Sequence, residues 1–254
     1  MNLRDCVRNT YSLKVAPLPA ACTGLRLVVL ADLHVGSPHN GLDKLELIVA
    51  SANAAKPDLV LLAGDYVIHG VLGGRFIAPE QAAAVLSGLR SSLGTYAVLG
   101  NHDWWLDAER VSKALESNGV KMLEDASATL TLRDCEFVLV GVSDFWEGPH
   151  DLEEAFANVP ADAATIVFTH NPDVFPELPQ TLTLAIAGHT HGGQVALPFI
   201  GRPIVPSQFG ERFAAGPVFE NNQTYFVSTG TGTSILPVRF GVTPEVSVLE
   251  LEAK

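Results

Sequence analysis

Five short segments concentrate side chains that can bind a metal ion or move a proton: Asp32-Leu33-His34, Gly64-Asp65, Gly100-Asn101-His102-Asp103, Thr169-His170-Asn171 and Gly188-His189-Thr190-His191-Gly192-Gly193-Gln194. Asp32 and Asp65 offer carboxylates, Asn101 a carboxamide and the histidines imidazoles, with no thiolate among them. Oxygen and nitrogen donors in this mixture suit Mn, Fe, Zn or Co rather than a Cys-rich structural zinc site. In Asp-x-His and His-x-His, side chains at i and i+2 share one side of an extended segment, so each pair can serve one ion or two neighbouring ions. Glycines before Asp65, Asn101 and His189 remove bulk where the backbone must turn sharply.

Each segment follows a short apolar run. RLVVLA (26–31), DLVLLA (58–63), TYAVL (95–99), FVLVGV (137–142), ATIVF (164–168) and LTLAIA (182–187) have strand length without strict alternation, as expected for strands covered on both faces. The runs at 225–228 and 245–251 read as later strands; EVSVLEL alternates and is predicted near a sheet edge. Helical spacing predicts helices over 42–55, 79–93 and 107–118, with Pro57 and Gly119 as stops for the first and third. Alternating strands and helices indicate an α/β domain. In such folds the loops at the carboxyl ends of the strands open into a crevice, so five reactive endings line one rim.

The order DLH, GD, GNHD, the lone His of THNPD and GHTH resembles the calcineurin-like metallophosphoesterase superfamily. GHTHGGQVALPFIGRPIVPS and LPVRFGVTPEV are similar to its bacterial YkuE-type branch, and the resemblance runs from about Leu27 to Leu251. It implies a four-layer α/β/β/α sandwich of two packed mixed sheets flanked by helices. It implies two divalent or trivalent metal ions (Mn, Fe or Zn), one held by Asp32, His34 and His191, the other by Asn101, His170 and His189, with Asp65 bridging. His102 would face the substrate and stabilise or protonate the leaving oxygen. Two divalent ions, two carboxylates and a bridging hydroxide leave about +1, which suits an anionic phosphoester. The implied activity is metal-dependent phosphoester hydrolysis by a metal-bound hydroxide, on phosphodiesters or diphosphates. Two alternatives stand beside it: hydrolysis of a lipid-linked diphosphate of the UDP-diacylglucosamine type, and a non-catalytic metal-binding scaffold that docks partners.

The chain departs from the family pattern at one point. Many members carry an acidic residue three positions after the bridging Asp, where it orients the substrate-facing His; here that position is Ile68. Asp103 is expected to cap a turn rather than orient His102. His39, His69 and His150 are expected on the surface, with His39 and His69 close enough to ligand motifs to line a pocket. Asp144 ends the FVLVGV run, either lining the site or capping its loop. Arg239 could fork onto a phosphate or form a structural salt bridge. STGTGTS (228–234) lacks a phosphate-loop pattern and reads as a flexible turn. The segment 195–209 either packs on a sheet edge or forms an apolar lip beside the metals, which Trp104 and Trp105 could extend.

Composition bounds these readings. The 254 residues are 47% hydrophobic and 17% charged, enough for a sizeable core and too apolar for a disordered chain. They read as a single domain over 1–254, with 1–24 an N-terminal extension or edge segment. A net charge of −12 disfavours non-specific binding to nucleic acid or anionic membranes. Cys6, Cys22 and Cys135 are too few and scattered for a disulfide framework, and read as free thiols in a reducing compartment. Neither a signal-peptide pattern nor a membrane-length apolar run occurs, so the expected location is cytoplasmic, with peripheral membrane contact left open.

Overall fold

The computed structural model describes residues 6–254. In chain order the elements are β1 (Val7–Val15), β2 (Arg26–Leu30), α1 (Leu42–Ala54), β3 (Leu59–Ala63), α2 (Pro79–Leu86), β4 (Thr95–Val98), α3 (Asn101–Glu116), β5 (Lys121–Met122), β6 (Ala126–Leu132), β7 (Cys135–Val142), α4 (Leu152–Phe156), β8 (Thr165–Thr169), β9 (Leu184–Ala187), β10 (Gly216–Glu220), β11 (Gln223–Val227) and β12 (Glu245–Ala253). They form two six-stranded sheets, ordered β1-β12-β2-β3-β4-β5 and β10-β11-β9-β8-β7-β6. Strands β2 to β5 run parallel, as do β7, β8, β9 and β11. Antiparallel β6 and β10 close the edges of the second sheet, and β12 runs antiparallel to β2, so both sheets are mixed.

The apolar runs lack alternation because both of their faces are covered. Leu27, Val29 and Leu61 point between the sheets and meet Leu139, Ile166 and Ile186. Their neighbours Val28, Leu30, Val60 and Leu62 point the other way, onto Leu45, Ile48, Leu86 and Val111 of the first three helices. On the far side, Val140 and Val167 pack against Ala155 of α4 and against Val174, Phe175 and Phe213 of short 3-10 turns. The result is the expected α/β/β/α sandwich, with one outer layer made of short pieces. Each fully buried Leu or Val contributes about 1.5–3 kcal/mol, which holds the sheets face to face and their carboxyl edges together.

Three elements differ from expectation, two in their boundaries and one in its place in the sheet. The second helix stops at Leu86, with Gly88 two residues on. The third starts at Asn101 instead of 107, so the GNHD motif forms its first turn, and it breaks at Asp107 (φ 175°, ψ 96°). Strand β12 is not at an edge: β1 pairs along its whole length, Val7 opposite Glu245 through Val15 opposite Ala253. The largely exposed face of β1 hid that strand from an apolar-run reading.

The thiol expectation is corrected. Cys22 and Cys135 form a disulfide with Cα atoms 4.7 Å apart, leaving Cys6 free. The partners are 113 residues apart and meet only when the turn before β2 packs on β7, so spacing could not reveal them. Disulfides belong to oxidising compartments, and the cytoplasmic expectation loses the support it drew from free thiols. Among the described residues, no helix is long and apolar enough to cross a membrane.

Candidate metal centre

Asp32 and His34 follow β2, Asp65 follows β3, Asn101 follows β4, His170 follows β8, and His189 and His191 follow β9, so the ligand candidates come from both sheets. All seven are buried. Five of them, Asp32, His34, Asp65, His189 and His191, hold left-handed backbone with φ between 40° and 68°. Non-glycine residues rarely adopt that region, and strain of this kind collects at functional sites.

The surrounding chain enforces the strain. Asp103, at the third position of α3, accepts hydrogen bonds from the backbone N–H of Gly100 (2.9 Å), Asp65 (2.8 Å) and Tyr66 (2.9 Å). It is the capping residue expected, and it also locks the Asp65 loop to the helix. Asp32 accepts from the His189 N–H at 3.0 Å, tying the two sheets together. Gly100 has to be glycine, because a Cβ there would lie 2.3 Å from Asp65 Oδ1.

The donor atoms converge. One each from Asp32, His34, Asp65 and His191 lie within 4.8 Å of one another, and the Nε2 atoms of His34 and His191 are 3.1 Å apart. Beside them, Asn101 Oδ1 lies 3.2 Å from His170 Nε2 and 3.1 Å from His189 Nδ1. Asp65 Oδ2 belongs to both groups, 3.3 Å from His34 Nε2 and 3.4 Å from His170 Nε2.

Proton placement indicates that these atoms fit a cation. His34 Nδ1 faces the Val67 carbonyl at 3.1 Å and His170 Nδ1 the Ala63 carbonyl at 2.8 Å. Carbonyls only accept, so both Nδ1 atoms carry protons, and each Nε2, when unprotonated, presents a lone pair inward. Those lone pairs face carboxylate and carboxamide oxygens, acceptors against acceptors, which a proton or a metal ion must reconcile. Burial opposes charging of His34 and His170, but the Asp65 carboxylate outweighs it and raises both above the usual imidazole range. Burial alone would raise Asp65; the imidazoles of His170, His102 and His34 win and hold it well below the usual carboxylate range. Burial lowers His189 and His191, aided by the neighbouring His170 and His34 respectively.

His102 stands above this floor. Its ring packs 4.6 Å from that of His34 and 4.8 Å from that of the exposed Trp105. Its Nε2 is 4.0 Å from Asp65 Oδ2 and 3.4 Å from Ser234 Oγ. Its buried Nδ1 has no partner among the described residues, so Asp103 does not orient the ring, and the Asp65 carboxylate approaches it at Nε2 instead. Burial, opposed by Asp65, brings this imidazole down to about 4.

Residues 25–193 match the calcineurin-like phosphoesterase family. The chain belongs to that family. It is 34% identical to phosphodiesterase YaeI of Escherichia coli over 89% of this chain and 82% of that protein. It is 27% identical to the uncharacterized metallophosphoesterase YkuE of Bacillus subtilis over 96% of this chain and 84% of that one. Among solved structures, Haemophilus influenzae NAD nucleotidase superposes with a TM-score of 0.52 at 17% identity, over 80% of this chain and 44% of that one, a likeness of fold alone. The protein is a metallophosphoesterase, a phosphoric ester hydrolase with a candidate metal site.

Other residues of the phosphoesterase stand partly as expected and partly not. Arg239 does not fork outward and forms no salt bridge among the described residues: it is buried, and its guanidinium donates to the carbonyls of Thr229 (2.7 Å) and Gly232 (2.6 Å), close to His191. The 228–234 stretch is largely buried rather than a flexible turn. A Cβ on Gly230 would lie 2.5 Å from that of Asp32, and Gly232 N–H donates to the Asp32 carbonyl at 2.7 Å. This buttress went unread, although alternating TGTGT was its visible signal. Asp144 caps its loop, accepting from the N–H of Trp146 and Glu147, both at 2.9 Å. That turn sets the exposed Trp146 edge-on to His189, ring centres 4.3 Å apart. The sequence reading passed over Trp146, whose one signal was its place just after a strand-end Asp. His39 and His69 are exposed, His150 is half-buried, and Trp104 packs against the helix-side core.

Proposed function

We propose that this phosphoesterase holds two metal ions and hydrolyses phosphodiesters or diphosphates. Asp32, His34 and His191 would hold one ion, Asn101, His170 and His189 the other, and Asp65 would serve both. The observation that carries this reading is the position of Asp65 Oδ2, within 3.4 Å of an inward nitrogen of each group. When bound, Mn, Fe or Zn would supply a Lewis acid for the phosphoryl oxygens and a water acidic enough to attack near neutral pH. The rest falls to the chain. The strained, braced loops preorganise the donors, so little reorganisation accompanies binding. His102 meets the substrate neutral and donates an N–H hydrogen bond to the leaving oxygen; the negative phosphoester would raise its basicity toward proton transfer. We infer a single working domain over 1–254, because neither sheet alone supplies a complete donor set.

A lipid-linked diphosphate as substrate is favoured by the exposed apolar side chains around the mouth. The reaction class is tested by comparing a soluble aryl phosphodiester with its monoester, with Mn²⁺ present. Faster diester turnover is expected; faster monoester turnover would make the protein a phosphatase, and turnover of neither by metal-loaded protein would remove the soluble-diester reading.

A further inference from the structure

Three loops surround the mouth above His102, at 66–77, 194–209 and 229–244, and their backbones are stitched together. Leu72 N–H donates to Ile235 O at 3.0 Å, Ala196 N–H to Phe240 O at 2.7 Å, and Phe240 N–H to Gln194 O at 2.9 Å. The frame holds Leu72, Phe199, Ile200, Ile204, Ile235 and Phe240 out into solvent, each more than half exposed. At the tip, Leu197 and Gly201 exchange two backbone hydrogen bonds, and Phe199 sits in left-handed backbone (φ 67°) with its ring fully exposed. A bulky aromatic in that conformation is uncommon, and an apolar patch of this extent on a soluble surface marks an interaction site.

The charge pattern indicates what covers it. The chain carries 28 acidic residues and a net charge of −12, yet these three loops contain three arginines and no Asp or Glu. Arg239 is buried on carbonyls, Arg202 lies 3.7 Å from Glu211, and Arg75 is exposed with no ion-pair partner among the described residues. Such a rim, apolar and free of negative charge, complements an anionic lipid surface. Its position places that surface at the site: Ser234 Oγ lies 3.4 Å from His102 Nε2, so a lipid surface seated on the loops presents its phosphoesters at the mouth.

We propose that these loops dock the protein on an anionic lipid surface, with Phe199 and Ile200 entering the interface and the mouth opening onto phosphoesters held there. The docking stands independently of the hydrolase reading; the substrate class, an amphiphilic phosphodiester or diphosphate, rests on it.

The test is co-sedimentation of the full chain with vesicles of equimolar phosphatidylcholine and phosphatidylglycerol, and with vesicles of phosphatidylcholine alone. Binding to the anionic vesicles is expected. The double variant Phe199→Ser/Ile200→Ser should weaken it by about tenfold or more. Arg75→Glu should weaken binding to anionic vesicles and leave binding to phosphatidylcholine unchanged. Circular dichroism and turnover of the soluble aryl diester, both unchanged, would show that the variants fold. No vesicle binding by the parent protein, or equal binding by the double variant, would overturn the proposal. So would a self-association of the parent that the double variant abolishes without any vesicle binding. Vesicle binding without turnover of the soluble diester would leave the docking intact and remove the soluble-diester reading.

Discussion

At the carboxyl ends of β2, β3, β4, β8 and β9 the chain places buried carboxylates, imidazoles and left-handed backbone; at the amino ends of β2 and β7 it places the Cys22–Cys135 disulfide. The first end contains lone pairs that face one another. The second is closed covalently and sits in the inter-sheet apolar core with Leu25 and Phe137. Stability is concentrated where no chemistry occurs, and the chemical end is held in a costly arrangement by that reserve and by a few backbone locks. Substitutions at the two ends should therefore separate activity from stability.

The largest contrast is expected from His102→Ala. Turnover of the aryl diester should fall about 100-fold or more, and further for poor leaving groups, while metal content and melting temperature stay near the parent's. Kinetics across a leaving-group series beside metal analysis would check it; equal losses on good and poor leaving groups would remove the leaving-oxygen role. Asp103→Ala crosses the contrast, because Asp103 braces the chemical end. Loss of an acceptor for four backbone N–H groups, those of Gly100, Asp65, Tyr66 and Val67, should cost about 3 kcal/mol in urea unfolding and weaken metal binding as well.

Cys22→Ser/Cys135→Ser should lower stability by about 3 kcal/mol, since the bond closes a long loop, and leave metal content unchanged in the fraction that stays folded. Metal loss matching that of Asp103→Ala would mean that the two ends are not separable. The smallest effect is a pH dependence. Burial pushes Glu124, which accepts from the Leu99 N–H, up to about 8 from an ordinary 4.5. Between those values the folded state keeps a proton that the unfolded chain releases, so stability falls as pH rises from 4.5 toward 8. Glu124 is partly exposed, which limits the effect to about 1–2 kcal/mol. Glu124→Gln should flatten that slope, as read by unfolding midpoints across the range.

The chemical end was the legible one. Asp32, His34, Asp65, Asn101, His102, His170, His189 and His191 stood out because reactive side chains ended apolar runs, and the structure brings all eight into one cluster. The α/β class followed from the same runs, and the two-sheet sandwich from the family resemblance carried by their endings. What stayed hidden depended on tertiary contact. The Cys22–Cys135 pair forms between distant segments, and β1 presents too little apolar surface to be read as a strand. Gly230 and Gly232 acquire their meaning only from the approach of Asp32 and His34. The 195–209 segment was open between packing and an apolar lip; exposure of Phe199, Ile200 and Ile204 shows that its tip does not pack on the sheet edge.

The most direct test of the central claim is the number of metal ions per chain, counted by elemental analysis after Mn²⁺ loading and gel filtration, for the parent protein and Asp65→Asn. The account expects two ions in the parent and at most one, with turnover lost, in the variant. A single ion in the parent, or two ions and full turnover in Asp65→Asn, would contradict it.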